Sequence, residues 1–137
     1  MKQKIILRTA SIVMFLHDVG HSFGALTWKR ATDQAKQKVI NEMTDNKFPL
    51  MGASRSMAET YDGYGFAIIL ALLLMAILLW FVSDPKEQKT ALSRKIIVTL
   101  AVVLLAWGIV ELLFFFPFAA AFSLIASLLC IYSFATQ

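Results

Sequence analysis

The stretch that decides the fold runs from Ile96 to Phe134 and reads IIVTLAVVLLAWGIVELLFFFPFAAAFSLIASLLCIYSF. A hydrocarbon core takes roughly 20 helical residues to cross, so this stretch is too long for one crossing and close to the length of two. Pro117 lacks an amide donor and breaks a helix interior. A tight turn around Phe116, Pro117 and Phe118 is therefore predicted, with one span over residues 96–116 and another over 118–134. Upstream, Phe66–Val82 (FAIILALLLMAILLWFV) is equally apolar but slightly short. Tyr61, Asp62 and Tyr64 before it form the polar end of a longer helix, giving a span of about residues 60–82.

Composition agrees with that reading. The chain has 137 residues, 58% apolar and 16% charged, whereas soluble domains are about half apolar and a quarter charged. A single soluble domain of this length has too little interior for so many large apolar side chains, but lipid can solvate them. The formal charge of +4 comes from 13 Lys and Arg against 9 Asp and Glu. Those cations flank apolar runs, as lipid headgroups and topology signals require. No nucleic-acid-binding motif accompanies them, and no nucleic-acid partner is expected. The single cysteine, Cys130, excludes an intrachain disulfide and a Cys-only zinc site.

A fourth candidate span covers about residues 5–28 and carries Arg8, His17, Asp18 and His21. Lys2, Lys4 and Arg8 ahead of Ile12–Leu16 resemble a signal peptide. His17-Asp18 follows at once, however, with no small-residue cleavage site, so the segment is read as a span. The expected fold is all-α: an integral membrane four-helix bundle forming one domain over residues 1–137.

Lys29 to Arg55 is too long for a structureless connection. Ala31, Ala35, Val39 and Met43 recur every four residues, with Ile40 beside them. Thr32 suits an N-cap and Asp33 a first turn. A short amphipathic helix between helices 1 and 2 is predicted, on the membrane surface or capping the bundle. Asn46-Lys47-Phe48-Pro49 stops it, and Gly52 allows a turn. Ser56-Met57-Ala58-Glu59 has the capping-box spacing, so the next helix can begin near Ser56.

Four spans put both termini on one side. Lys2, Lys4, Arg8, Lys86, Lys89, Arg94 and Lys95 then share it, seven cations against the six of the long connection. The positive-inside rule places both termini in the cytoplasm, by that margin of one. The expected setting is a cytoplasmic (inner) membrane.

An ionised side chain in mid-membrane costs at least a few kcal/mol on insertion scales, so such groups face the bundle interior and take partners. His17, His21, Glu59, Asp62 and Glu111 are therefore the candidate ligand-binding or proton-relay residues, with Trp107 and Tyr61 beside them. His17 and His21, four apart, share a helical face. Two imidazoles at that spacing can ligate a transition metal or a haem iron, with carboxylates from another helix completing the shell. Hydrogen bonding between helices accounts for the same pair without a metal. Asp18 lies about 100 degrees around the helix from His17, with Arg55 or Lys29 as candidate partners. Glu59 and Asp62 share one side of the second span. Arg55 could pair with Glu59 at the helix start, or burial could raise one carboxylate's pKa and make it a proton donor. Glu111 sits deep in an apolar span, with Trp107 one turn before it and His17, His21 or Arg8 as expected partners. Tyr61 could donate to a ligand or simply belong to the interfacial aromatic belt.

No Walker loop, dinucleotide fingerprint, nucleophile elbow or His-Glu-x-x-His motif is present. His17-Asp18-Val19-Gly20-His21-Ser22-Phe23-Gly24, with Gly52-Ala53-Ser54-Arg55-Ser56 and Tyr61-Asp62-Gly63-Tyr64-Gly65-Phe66, resembles an uncharacterised family of small bacterial four-helix integral membrane proteins. The resemblance implies the topology and a polar site, and no activity. A looser likeness links Glu59, Asp62, Trp107 and Glu111 to helical bundles of the sterol-isomerase type, without matching spacing. The expected function is binding of a small apolar or amphipathic ligand in an intramembrane polar pocket, in the bilayer, alone or as a homo-oligomer. The alternatives are a membrane enzyme, isomerase-like or metal-dependent, acting on a lipid-soluble substrate, and an accessory subunit of a membrane complex.

Overall fold

The computed structural model describes residues 2–86 and 90–136. Lys89, one of the cations in the orientation argument, lies outside them. Among the described residues five helices and one β-hairpin follow in order: α1 (Lys2–Thr27), α2 (Gln34–Asp45), β1 (Lys47–Leu50), β2 (Ala53–Ser56), α3 (Met57–Val82), α4 (Ala91–Phe114) and α5 (Pro117–Ala135). Three of the helices, α3, α4 and α5, are long and apolar enough to cross a membrane. Only 28% to 33% of their most apolar windows is buried, so the greater part of that apolar surface needs a non-aqueous solvent. The chain is a multi-pass membrane protein.

The chain divides into two compact units. One comprises residues 1–18 and 71–137, the other Val19–Leu70.

The first unit packs stripes of small and larger apolar residues at helical spacing. Leu7, Ala10, Ser11 and Met14 come from α1, and Leu72, Met75, Ala76 and Leu79 from α3. Ile97, Leu100, Ala101, Leu104 and Gly108 come from α4. Ala120, Ser123, Ala126, Ser127 and Cys130 come from α5. Small residues let helices approach closely in lipid, where apolar burial gives no driving force. Close approach lets hydroxyls cross between helices: Ser11 Oγ donates to the Ala76 carbonyl at 2.7 Å and Ser127 Oγ to the Ala101 carbonyl at 2.7 Å.

The turn between α4 and α5 is one residue earlier than predicted. Phe115 and Phe116 make it, and Pro117 is the first residue of α5. Proline suits that position because the first helical amide has no intrahelical partner anyway. Gly108 tightens the hairpin, since a Cβ there would lie 2.7 Å from Leu124 Cδ2.

In the second unit the predicted amphipathic helix is α2, with two shifts. Asp33, in extended conformation, caps it by accepting from the Lys36 amide at 2.8 Å, where Thr32 had been expected. Ile40 is its buried residue, whereas Ala35 and Val39 are exposed. The predicted capping box also forms: the Ser56 amide donates to Glu59 Oε2 at 2.8 Å and the Glu59 amide to Ser56 Oγ at 3.2 Å.

The hairpin is an addition to the all-α reading. Residues 47–50 pair antiparallel with 53–56 around Met51-Gly52, both at positive φ (46° and 90°). A two-residue turn makes Leu50–Ala53 the hydrogen-bonded pair, so Pro49 falls at a non-bonded position where its missing amide costs nothing. The signal was weak because Met stands where such turns favour Asn. Met51→Asn is expected to stabilise the hairpin by up to about 1 kcal/mol, since Asn tolerates the left-handed region. Amide exchange of β1 and β2 measures this, and unchanged protection would contradict the turn geometry.

Candidate functional site

In the first unit, a buried polar ring joins three helices. His17 comes from α1, Trp107 and Glu111 from α4 one turn apart, and Ser123 from α5. His17 Nε2 lies 3.0 Å from Glu111 Oε1, and the same oxygen accepts from Trp107 Nε1 at 3.1 Å. Ser123 Oγ donates to Glu111 Oε2 at 2.7 Å and lies 3.4 Å from His17 Nδ1. His17 and Glu111 are 5% and 6% exposed and Ser123 is fully buried. Phe122 stacks on the imidazole at 5.5 Å between centroids, and Phe118 meets Phe122 edge-on at 5.2 Å.

Glu111 receives donors on both oxygens, and Ser123 Oγ lies within reach of both Glu111 Oε2 and His17 Nδ1. Which imidazole nitrogen donates depends on the tautomer, and the serine hydroxyl, as donor and acceptor, can turn between carboxylate and imidazole with the heavy atoms in place.

Glu111 is less deep than the sequence suggested. It lies three residues from the end of α4, about 4.5 Å along the helix axis from Phe114. Among its three expected partners the structure selects His17. Arg8 instead lays its guanidinium over the Trp80 ring at 4.5 Å.

In the second unit, Asp62 accepts from Trp28 Nε1 at 2.8 Å and forms an ion pair with Lys29. Tyr61 meets Trp28 edge-on at 4.7 Å. This aromatic and charged clasp joins the end of α1 to the start of α3. His21 Nε2 lies 3.4 Å from the Gly65 carbonyl, where a Cβ on Gly65 would come within 3.2 Å of Ala25 Cβ. Glu59 is the capping residue already described, and Arg55 makes no ion pair with it among the described residues.

The structure thus brings His17, Trp107 and Glu111 together in the first unit; in the second, Tyr61 and Asp62 meet on Trp28, while His21 and Glu59 take the separate partners Gly65 and Ser56. Among the described residues no three His, Cys, Asp or Glu side chains gather as a metal shell. Ser123 and Phe122 were not singled out from the sequence. The signal for Ser123 was there, since Ala120, Ser123, Ser127 and Cys130 form a stripe of small residues on one helical face. Comparison of the chain with protein-family models, curated proteins and solved structures finds no match.

Proposed function

We propose that this chain is a four-span protein of the bacterial cytoplasmic membrane, both termini cytoplasmic, related to the small four-helix family its motifs resemble. Its ring of His17, Glu111 and Ser123 is the polar site of a binding protein for a small apolar or amphipathic ligand. Support for the fourth span comes from α1, whose 26 residues reach about 39 Å. Ile12, Phe15, Leu16, Val19 and Phe23 are exposed on it, while His17 and Asp18 are buried. A helix in lipid shows that arrangement, apolar side chains outward and ionisable ones inward.

The binding reading is carried by one observation: an ionisable pair held at 3.0 Å inside the packed helices, next to a hydroxyl that can turn between its two members. A ligand hydroxyl or amine could take the place of Ser123 in the ring, and the apolar helices would solvate the rest of the molecule. Native mass spectrometry of protein purified in detergent tests this. Wild type is expected to retain a small organic adduct that Glu111→Gln loses and Ser123→Ala holds less well.

A second reading is favoured by the completeness of the ring, because each Glu111 oxygen already has a partner within the unit. The quartet would then fix helix register, as buried polar groups do in some systems, and the chain would serve as a scaffold or accessory subunit. An adduct-free wild type, with Glu111→Gln altering stability alone, would select this reading.

A further inference from the structure

A second candidate site lies wholly within the Val19–Leu70 unit. Leu50 and Arg55 of the hairpin and Glu59, Gly63, Tyr64 and Ala67 of α3 line an open groove of about 380 Å³. The α3 residues recur at helical spacing, so they form one face. That face changes character along its length, with charged residues toward the hairpin and Gly63 and Ala67 where the apolar part of the span begins. The floor is open, since nothing lies within 4 Å of the position a Cβ on Gly63 would take.

Glu59 is the acidic residue of the groove; its carboxylate is held by the Ser56 amide at the helix start and lies in the field of two cations, Lys47 and Arg55, so the local balance is positive. The Arg55 guanidinium has no hydrogen bond or ion pair among the described residues. Arginine presents a planar fork of donors that matches phosphate oxygens. Tyr64, 67% exposed, lines the same groove next to Gly63 and adds a hydroxyl and an aromatic wall.

We propose that this groove binds an anionic phospholipid, with the phosphodiester on Arg55 and the first acyl segment along Gly63 and Ala67. Polar head and apolar floor follow each other along α3 in the order that a lipid entering the leaflet presents them. The proposal stands apart from the His17–Glu111 reading and needs only that α3 spans the membrane.

The test uses the full chain in detergent, titrated with phosphatidylglycerol and phosphatidylcholine of matched acyl chains and read by native mass spectrometry. Wild type is expected to prefer phosphatidylglycerol by about fivefold, the effect of one cation near an anionic headgroup. Arg55→Gln should bring the two lipids to parity. Gly63→Leu should lower retention of both while leaving thermal stability intact, because its side chain enters open space and leucine favours helix. Equal retention by wild type, an unchanged preference in Arg55→Gln, or full retention in Gly63→Leu would each overturn the proposal. Displacement by inorganic phosphate regardless of acyl chain would also overturn it, by assigning the site to the free anion.

Discussion

Glu111→Leu is expected to destabilise the protein by about 3–5 kcal/mol, the usual consequence of removing one member of a buried ion pair. The variant leaves three donors stranded at once: His17 Nε2, Trp107 Nε1 and Ser123 Oγ, all of which end on the Glu111 carboxylate. His17 and Ser123 are buried, so their donors have little access to water as a substitute partner. Adding His17→Leu should recover most of the loss, because a buried pair replaced by apolar residues of similar volume is often neutral or stabilising. The double-mutant cycle, measured by equilibrium unfolding in mixed micelles, therefore gives a large coupling energy. Two single variants whose effects simply add would mean the ring does not act as a unit. Glu111→Gln should fall between, since it keeps one acceptor and loses the charge.

Gly108→Val is expected to destabilise by about 1–3 kcal/mol, the range for overpacking a close-packed interior. The new Cβ would meet Leu124 at two side-chain atoms, 2.7 and 2.8 Å away, and at its backbone nitrogen at 3.4 Å. Gly108→Ala is a milder case with opposed terms: alanine gains up to about 1 kcal/mol of helix propensity, while Leu124 must turn aside. Valine adds branched bulk that a leucine rotamer change cannot clear. The displacement should also reach the polar ring, since Ser123 precedes Leu124 on α5. Denaturation in micelles together with Trp107 fluorescence reads both effects. Restoration of Gly108→Val to wild-type stability by Leu124→Ala would identify the clash as the cause, and no rescue would argue against it.

The sequence by itself determined the three long apolar helices, the α4–α5 hairpin at Pro117, the amphipathic helix between Lys29 and Arg55, and the capping box at Ser56. Each of these is local. Apolar run length, a missing amide and a three-residue cap spacing act through neighbours on the same segment of chain, so periodicity and composition suffice to read them.

Tertiary structure decided which partner each buried ionisable group takes. Glu111 had three candidate partners in the sequence, and only packing puts His17 at 3.0 Å while sending Arg8 to Trp80. Lys29 is one of two candidate partners of Asp18 in the sequence, beside Arg55, and the structure gives it to Asp62. Ser123 entered the ring because Gly108 lets α5 come close, a relation invisible when each helix is read alone. The hairpin at residues 47–56 escaped for the same reason: Met51 carries no turn signal, and pairing between strands supplies the hydrogen bonds that local propensity did not foretell. Hydrogen bonds between segments distant in the chain depend on how closely their backbones approach, and that distance is a property of the packed molecule.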